Sequence, residues 1–291
     1  MTPQEVDAAY QQDLANFVTL QQEAGLDFFA DGLLRWQDIF RPLAEAAGVH
    51  ARMLTRWFDN NAFFRAPEVD GAVKRLEAVE AIAAGILPGA MVPSPRVATL
   101  PSPYMFSRAA VTTGDRNTLM LDLARDLLRP AAEQFVAAGC RLIHLQEPWL
   151  GFYGIDSSDR APLGHAIEAL TVGLDADVIL HVYFGDAAPY LDWLRKLPVH
   201  AVGVDLVETD GSALGRGWEI GLLAGCIDGR SSVVEPAAQT ATAIRQIAER
   251  AEPPVLYVST SCDLQLLPRD LAAQKVRALG AAMHQLRELV A

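Results

Sequence analysis

Three segments of the chain end in residue types that bind metals and activate thiols. They are Val178 to Tyr183 with His181, Ala201 to Asp205, and Val255 to Cys262. Each is a short apolar run closed by a polar group, which reads as the C-terminal end of a buried strand. His181, Asp205 and Cys262 are candidate zinc ligands. A tetrahedral site that activates a thiol wants a fourth ligand, ideally a second Cys two residues after the His, and Tyr183 stands there. Tyr183 either ligates as a phenolate, hydrogen-bonds a water on the metal, or fills the ligand's space by packing. Its ordinary pKa near 10 favours the last two. Glu147, next to Gln146 at another strand end, suits an acid, base or substrate anchor, or an ion pair with an arginine. Asp228, in the loop Gly225 to Arg230, either meets a ligand or bonds loop amides in an Asx-turn. Asp31 also falls at a strand end.

Those strand ends belong to an alternation of short apolar strands and amphipathic helices, the α/β pattern. Helices are expected over residues 3–24, 37–47, 73–87, 115–138, 162–173, 187–196, 235–251 and 268–289. Strands are expected over 26–30, 97–100, 141–146, 178–183, 201–206, 220–226 and 255–259. Residues 51–68 carry Trp57, Phe58, Phe63 and Phe64 as an aromatic insertion, a lid, a contact or a stacking wall. Seven strands, each followed by a helix or helical insertion, come one short of a (β/α)8 barrel, whose strand C-termini face the active site. The chain opens on a helix where a first strand belongs, so that strand is expected to be missing and an upstream start is favoured.

The bulk composition bounds the function. The 291 residues are 51% hydrophobic and carry a net charge of −12, enough for one barrel domain over 1–291. No basic stripe offers a nucleic-acid footprint, and no apolar run reaches membrane-span length. Cys140, Cys226 and Cys262 are too widely spaced for a disulfide framework, which points to a reduced, cytoplasmic setting.

Seven pieces, in order, resemble the C-terminal catalytic barrel of cobalamin-independent methionine synthase in its short single-barrel form. They are Gly25 to Gly32 with Arg35 and Asp38, Trp57 to Asn60, Leu100 to Pro103, Leu145 to Pro148, His181 to Tyr183, Gly225 to Arg230 with Glu235, and Ser259 to Leu264 with Pro268 and Arg269. The resemblance implies a TIM barrel of the methionine synthase/uroporphyrinogen decarboxylase type. It implies zinc held by a His-x-Cys pair, a carboxylate and a late Cys, so His181, Asp205 and Cys262 carry over and Tyr183 replaces a ligand. It also implies substrate contacts at Asp31, Leu33, Gln146, Glu147 and Asp205, with Leu33 and Gln146 standing where the family has acidic anchors. The activity implied is zinc-dependent methyl or alkyl transfer to a thiol, homocysteine to methionine by default, with a folate or a methyl-carrier protein as donor and with catalytic roles for Glu147, Tyr183 and Asp228. The altered positions keep two alternatives open: a metal-free barrel enzyme with another small substrate, or a non-catalytic barrel that binds a ligand, a partner subunit or a second copy.

Overall fold

The computed structural model describes residues 1–83 and 85–290. Helix α1 (Pro3–Glu23) starts where expected, because Thr2 and Glu5 form a reciprocal capping box and Pro3 occupies the first turn. Helix α2 (Arg41–Ala46) follows. The aromatic insertion is an antiparallel hairpin of β1 (His50–Arg56) and β2 (Phe63–Glu68). Its Trp57 and Phe64 pack on Phe40, with the two phenyl rings 5.3 Å apart. Helix α3 (Ala78–Ala83) is shorter than the span 73–87 expected for it.

The barrel wall is one parallel sheet: β3 (Arg96–Pro101), β4 (Cys140–Glu147), β5 (Asp177–Val182), β6 (Ala201–Asp205), β7 (Gly221–Ile227) and β8 (Leu256–Thr260), hydrogen-bonded in that order. The linking helices are α4 (Pro103–Ala109), α5 (Arg116–Asp122), α6 (Arg129–Ala137), α7 (Pro148–Tyr153), α8 (Ser157–Thr171), α9 (Leu191–Leu194), α10 (Ala237–Ala251) and α11 (Arg269–Val290). A π-helical stretch, Leu123–Leu128, joins α5 to α6. Pro130 lacks the N–H that a continuous helix needs, so the expected helix 115–138 changes pitch just before it. Alternate residues of the central strands face in and out, and both faces are covered. Val202, Val204, Leu222 and Ala224 are fully buried, which is why these strands read as unbroken apolar runs. Leu142, Ile179, Ala201 and Leu223 form the lower inner layer, plugged by Phe28, Val97 and Tyr257. The sheet curls into a TIM-like barrel.

The strand expected at 26–30 is corrected. It is reduced to one parallel bridge, Phe29 to Arg96, with Phe29 N donating to Pro95 O and Val97 N donating to Phe29 O. The physical reason lies on its far side. There the Gln21 side chain of α1 accepts from Ala30 N and donates to Ala30 O, both at 2.9 Å. An amide side chain thus takes the backbone groups that a neighbouring strand would use, and pairing stops. Among the described residues no strand pairs with the outer edge of β8.

Candidate functional site

The C-terminal mouth is built by the inward positions of the strands. Gln146 pairs in register with His181, and His181 with Gly203. A Cβ on residue 203 would meet the His181 ring at 2.7 Å, so glycine on β6 makes room for that imidazole. His144, two residues before Gln146, also faces inward. Its Nε2 lies 3.1 Å from His181 Nδ1. Burial pushes His144 down to about 4, and burial with the neighbouring His144 holds His181 well below the ordinary histidine value. Both rings are therefore neutral at neutral pH, and among the described residues His181 Nε2 finds no hydrogen-bond partner.

Asp263 organises the other half of the mouth. One of its carboxylate oxygens accepts from Gln146 Nε2 at 2.5 Å and the other from the Tyr183 hydroxyl at 3.4 Å. Burial pushes Asp263 up to about 6, opposed by those two bonds. Tyr183 is fully buried, and burial followed by the nearby Asp263 charge holds its phenol well above its ordinary range. Sequence reasoning assigned nothing to Asp263 or His144. The signals were present: the parity of β4 fixes His144 inward with Gln146, and Asp263 directly follows the strand-end Cys262.

The expected residues do not all meet. A cavity of 1180 Å³ brings Asp31, Leu33 and Gln146 together with His144 and Asp263. Asp31 accepts from Leu33 N, which holds Leu33 in the left-handed region at φ 50°. Glu147 faces away from this cavity. It is fully buried, and it accepts from Ser102 Oγ, Met105 N and Leu150 N, capping α4 and α7 together. Burial still pushes it up to about 7. Asp228 accepts from Arg230 N and Ser231 N, the Asx-turn arrangement. Its own amide donates to Glu235, which pairs with the fully buried Lys275. Arg230 pairs with Glu208 and lies 5.4 Å over the Phe184 ring.

The three expected metal ligands fit zinc poorly. Asp205 spends its two oxygens on backbone amides, Phe184 N at 3.2 Å and Val207 N at 2.9 Å, and burial pushes it up to about 6. Cys262 is pushed up to about 12 by burial and the adjacent Asp263, so its thiol is protonated, and its Sγ contacts the Asp263 carbonyl. Tyr183 is a neutral phenol bonded elsewhere. Among the described residues no three His, Cys, Asp or Glu side chains converge to hold a metal. Among the described residues His181 Nε2 is a buried ring nitrogen without a hydrogen-bond partner, and His181 itself does not line the cavity.

A family model described as the N-terminal domain of cobalamin-independent synthase matches residues 35–252. The chain belongs to the cobalamin-independent methionine synthase family. The motifs pointed to this family through its C-terminal barrel, whereas the matching description is of its N-terminal domain. The methionine synthase of Sulfolobus acidocaldarius is 23% identical over 94% of this chain and 80% of its own length. That of Methanothermobacter marburgensis is 27% identical over 90% of this chain and 85% of its own length. The 5-methyltetrahydropteroyltriglutamate–homocysteine methyltransferase of Nitratidesulfovibrio vulgaris is 30% identical over 76% of this chain, which spans only 31% of that longer protein. Among solved structures, a B12-independent methionine synthase from Shewanella sp. W3-18-1, in complex with selenomethionine, superposes with a TM-score of 0.79 at 19% identity, over 100% of this chain and 91% of that one. At that identity the likeness shows the shared barrel. No helix among the described residues is long and apolar enough to cross a membrane.

Proposed function

We propose that this protein is a single-barrel, cytoplasmic enzyme that transfers a methyl group to a small thiol at the barrel mouth. Its relatives are named as methionine synthases and, in one case, for methyl transfer to homocysteine. The observation that carries the reading is the cavity ending on Gln146 and Asp263, at strand ends of a barrel that places its chemistry there. Asp31, Leu33 and Gln146 would line the substrate, with Tyr183 holding Asp263 in place. Glu147 and Asp228 enter as supports of the mouth, through the helix caps and the loop turn.

The resemblance brings zinc with this activity, and His181, Asp205 and Cys262 would be its ligands. The donor set argues against it, since Tyr183 is bonded to Asp263, Asp205 is bound to amides, and no three candidate ligands converge among the described residues. We therefore place the methyl transfer on a site without that zinc centre. The deciding experiment measures zinc per chain in purified protein and thiol methylation with and without a chelator. Zinc well below one per chain and chelator-insensitive turnover are expected. One zinc per chain with activity lost on chelation would restore the family's metal reading. The second reading, a ligand-binding barrel without turnover, is favoured by the apolar Leu33 and Trp36 on the cavity wall. Calorimetric binding of a thiol with no methylated product would select it.

A further inference from the structure

Backbone strain gathers at the barrel mouth. Among the described residues, four other than glycine hold a positive φ. Glu252 is the left-handed cap that ends α10, a common place for that conformation. The other three are Leu33 on the cavity wall and the contacting pair Phe58 and Phe184, whose rings lie 5.5 Å apart. A phenylalanine at φ 66°, as Phe184 is, persists only where its surroundings over-determine it. Phe184 directly follows Tyr183, so whatever holds that turn also fixes where Tyr183 points.

Two sets of contacts hold it. On one side α7 crosses the turn, and a Cβ added to Gly185 would stand 1.9 Å from Gly151 O. On the other side stands Asp205, fully buried at the end of β6. One of its oxygens accepts from Phe184 N at 3.2 Å and the other from Val207 N at 2.9 Å. Three residues further on, Ala187 N donates to Thr209 Oγ1 at 2.9 Å. Thr209 is itself buried, and its own N–H donates to Asp205 O at 2.8 Å. Neither the Phe184 bond nor the Ala187 bond belongs to a sheet ladder or a helix. Both staple the segment after β5 to the end of β6, so they fix one mouth loop against the next.

Resting on the reading of this mouth as a thiol methylation site, we infer that Asp205 and Thr209 are positioning residues: they hold the left-handed Phe184 turn that aims Tyr183 at Asp263. Neither of them lines the cavity, and neither does Tyr183, whereas Asp263 and its partner Gln146 do. The effect of the two staples on a bound substrate therefore passes through the Tyr183 hydroxyl, 3.4 Å from Asp263. Asp205 gives both oxygens to amides, so its task is the turn and not a metal.

The experiment is a double-mutant cycle on the whole chain, with homocysteine as acceptor and 5-methyltetrahydrofolate triglutamate as donor. Asp205→Ala is expected to lower kcat/KM about a hundredfold, the effect of a displacement near 1 Å. Thr209→Val should act in the same direction, while Thr209→Ser keeps the acceptor oxygen and should match the parent. Amide exchange at Phe184 and Ala187 should quicken in the first two and not in the third. In a Tyr183→Phe background the same substitutions should cost less than about threefold, because they act through the hydroxyl already removed. Asp115→Ala, which loses a helix cap far from these loops, controls for stability alone and should leave kcat/KM unchanged. Equal losses with and without the Tyr183 hydroxyl overturn the inference, as does a Thr209→Ser chain as impaired as Thr209→Val. One zinc per chain that is lost in Asp205→Ala also overturns it, by assigning Asp205 to a metal. Homocysteine bound but never methylated by the unaltered chain overturns the transferase reading alone. The same cycle read on Kd then decides the positioning role, with coupled losses supporting it and additive losses overturning it.

Discussion

Tyr183 keeps its proton because its ring is sealed between the mouth and α7, and its hydroxyl becomes a donor to Asp263 rather than a metal ligand. Asp205, one CH2 shorter than the glutamate of the resembled site, reaches only the amides of its own neighbourhood. The candidate residues and their strand-end placement were legible from apolar runs closed by polar groups. Their partners were not, because Tyr183 and Asp263 lie 80 positions apart and local pattern carries no record of such a bond. Glu147 shows the same gap, since its Ser102 partner lies 45 positions away. Tyr183→Phe tests the residue-scale picture. It keeps the ring and removes one hydrogen bond to a buried carboxylate, so a loss of roughly 1–2 kcal/mol is expected in urea unfolding. Unchanged stability would mean that the 3.4 Å contact contributes nothing.

The elements were legible where burial on both faces gave unbroken apolar runs, as for β5, β6 and β7. They were misjudged where a tertiary contact replaced a local one, as at 26–30 and 73–87. Two contacts fix the mouth at this scale. Gly151 on α7 packs so closely on β5 that an added Cβ would stand 1.9 Å from the Tyr183 carbonyl oxygen. Gly164 on α8 has only Leu197 near it, at 3.9 Å. Gly151→Ala should therefore destabilise by about 3 kcal/mol through overpacking, whereas Gly164→Ala should stabilise by up to about 1 kcal/mol through helix propensity. Equal effects in thermal unfolding would contradict the close approach. Gln21 makes the second contact. Gln21→Leu keeps the bulk but strips partners from Ala30 N and O, and a loss of about 3 kcal/mol is expected. Amide exchange at Ala30 is the direct readout, and unchanged protection there would show that α1 does not close this seam.

At the scale of the whole molecule, buried titratable groups of opposite sense share one pH window. Glu147 is raised from 4.5 to about 7, and Asp205 and Asp263 from 3.8 to about 6, chiefly by burial. A raised carboxyl stabilises the fold below its unfolded pKa, and that contribution is lost as pH rises through the folded value. His144, lowered from 6.5 to about 4, and His181, held well below the ordinary histidine value, act the other way. A depressed histidine contributes stability above its unfolded pKa, and that contribution is lost as pH falls toward the folded value. Near pH 5 the folded chain holds extra protons on the three carboxyls and lacks protons on the histidines, so the two slopes oppose each other. Surface carboxylates such as Asp115, lowered by amide and hydroxyl bonds from Thr118, titrate below this window. Stability should therefore change little between pH 5 and 7 in the unaltered protein. Glu147→Gln removes most of one proton from the carboxyl side and leaves the histidines less opposed. Its stability, although lower throughout because one cap is broken, should rise with pH across that window by about 1 kcal/mol per unit relative to the parent. Urea unfolding at pH 5, 6 and 7 reads the slope directly. Parallel curves for the two proteins would show that Glu147 is not held protonated in the fold, and the buried cap would then be an ordinary charged carboxylate stabilised by its three donors.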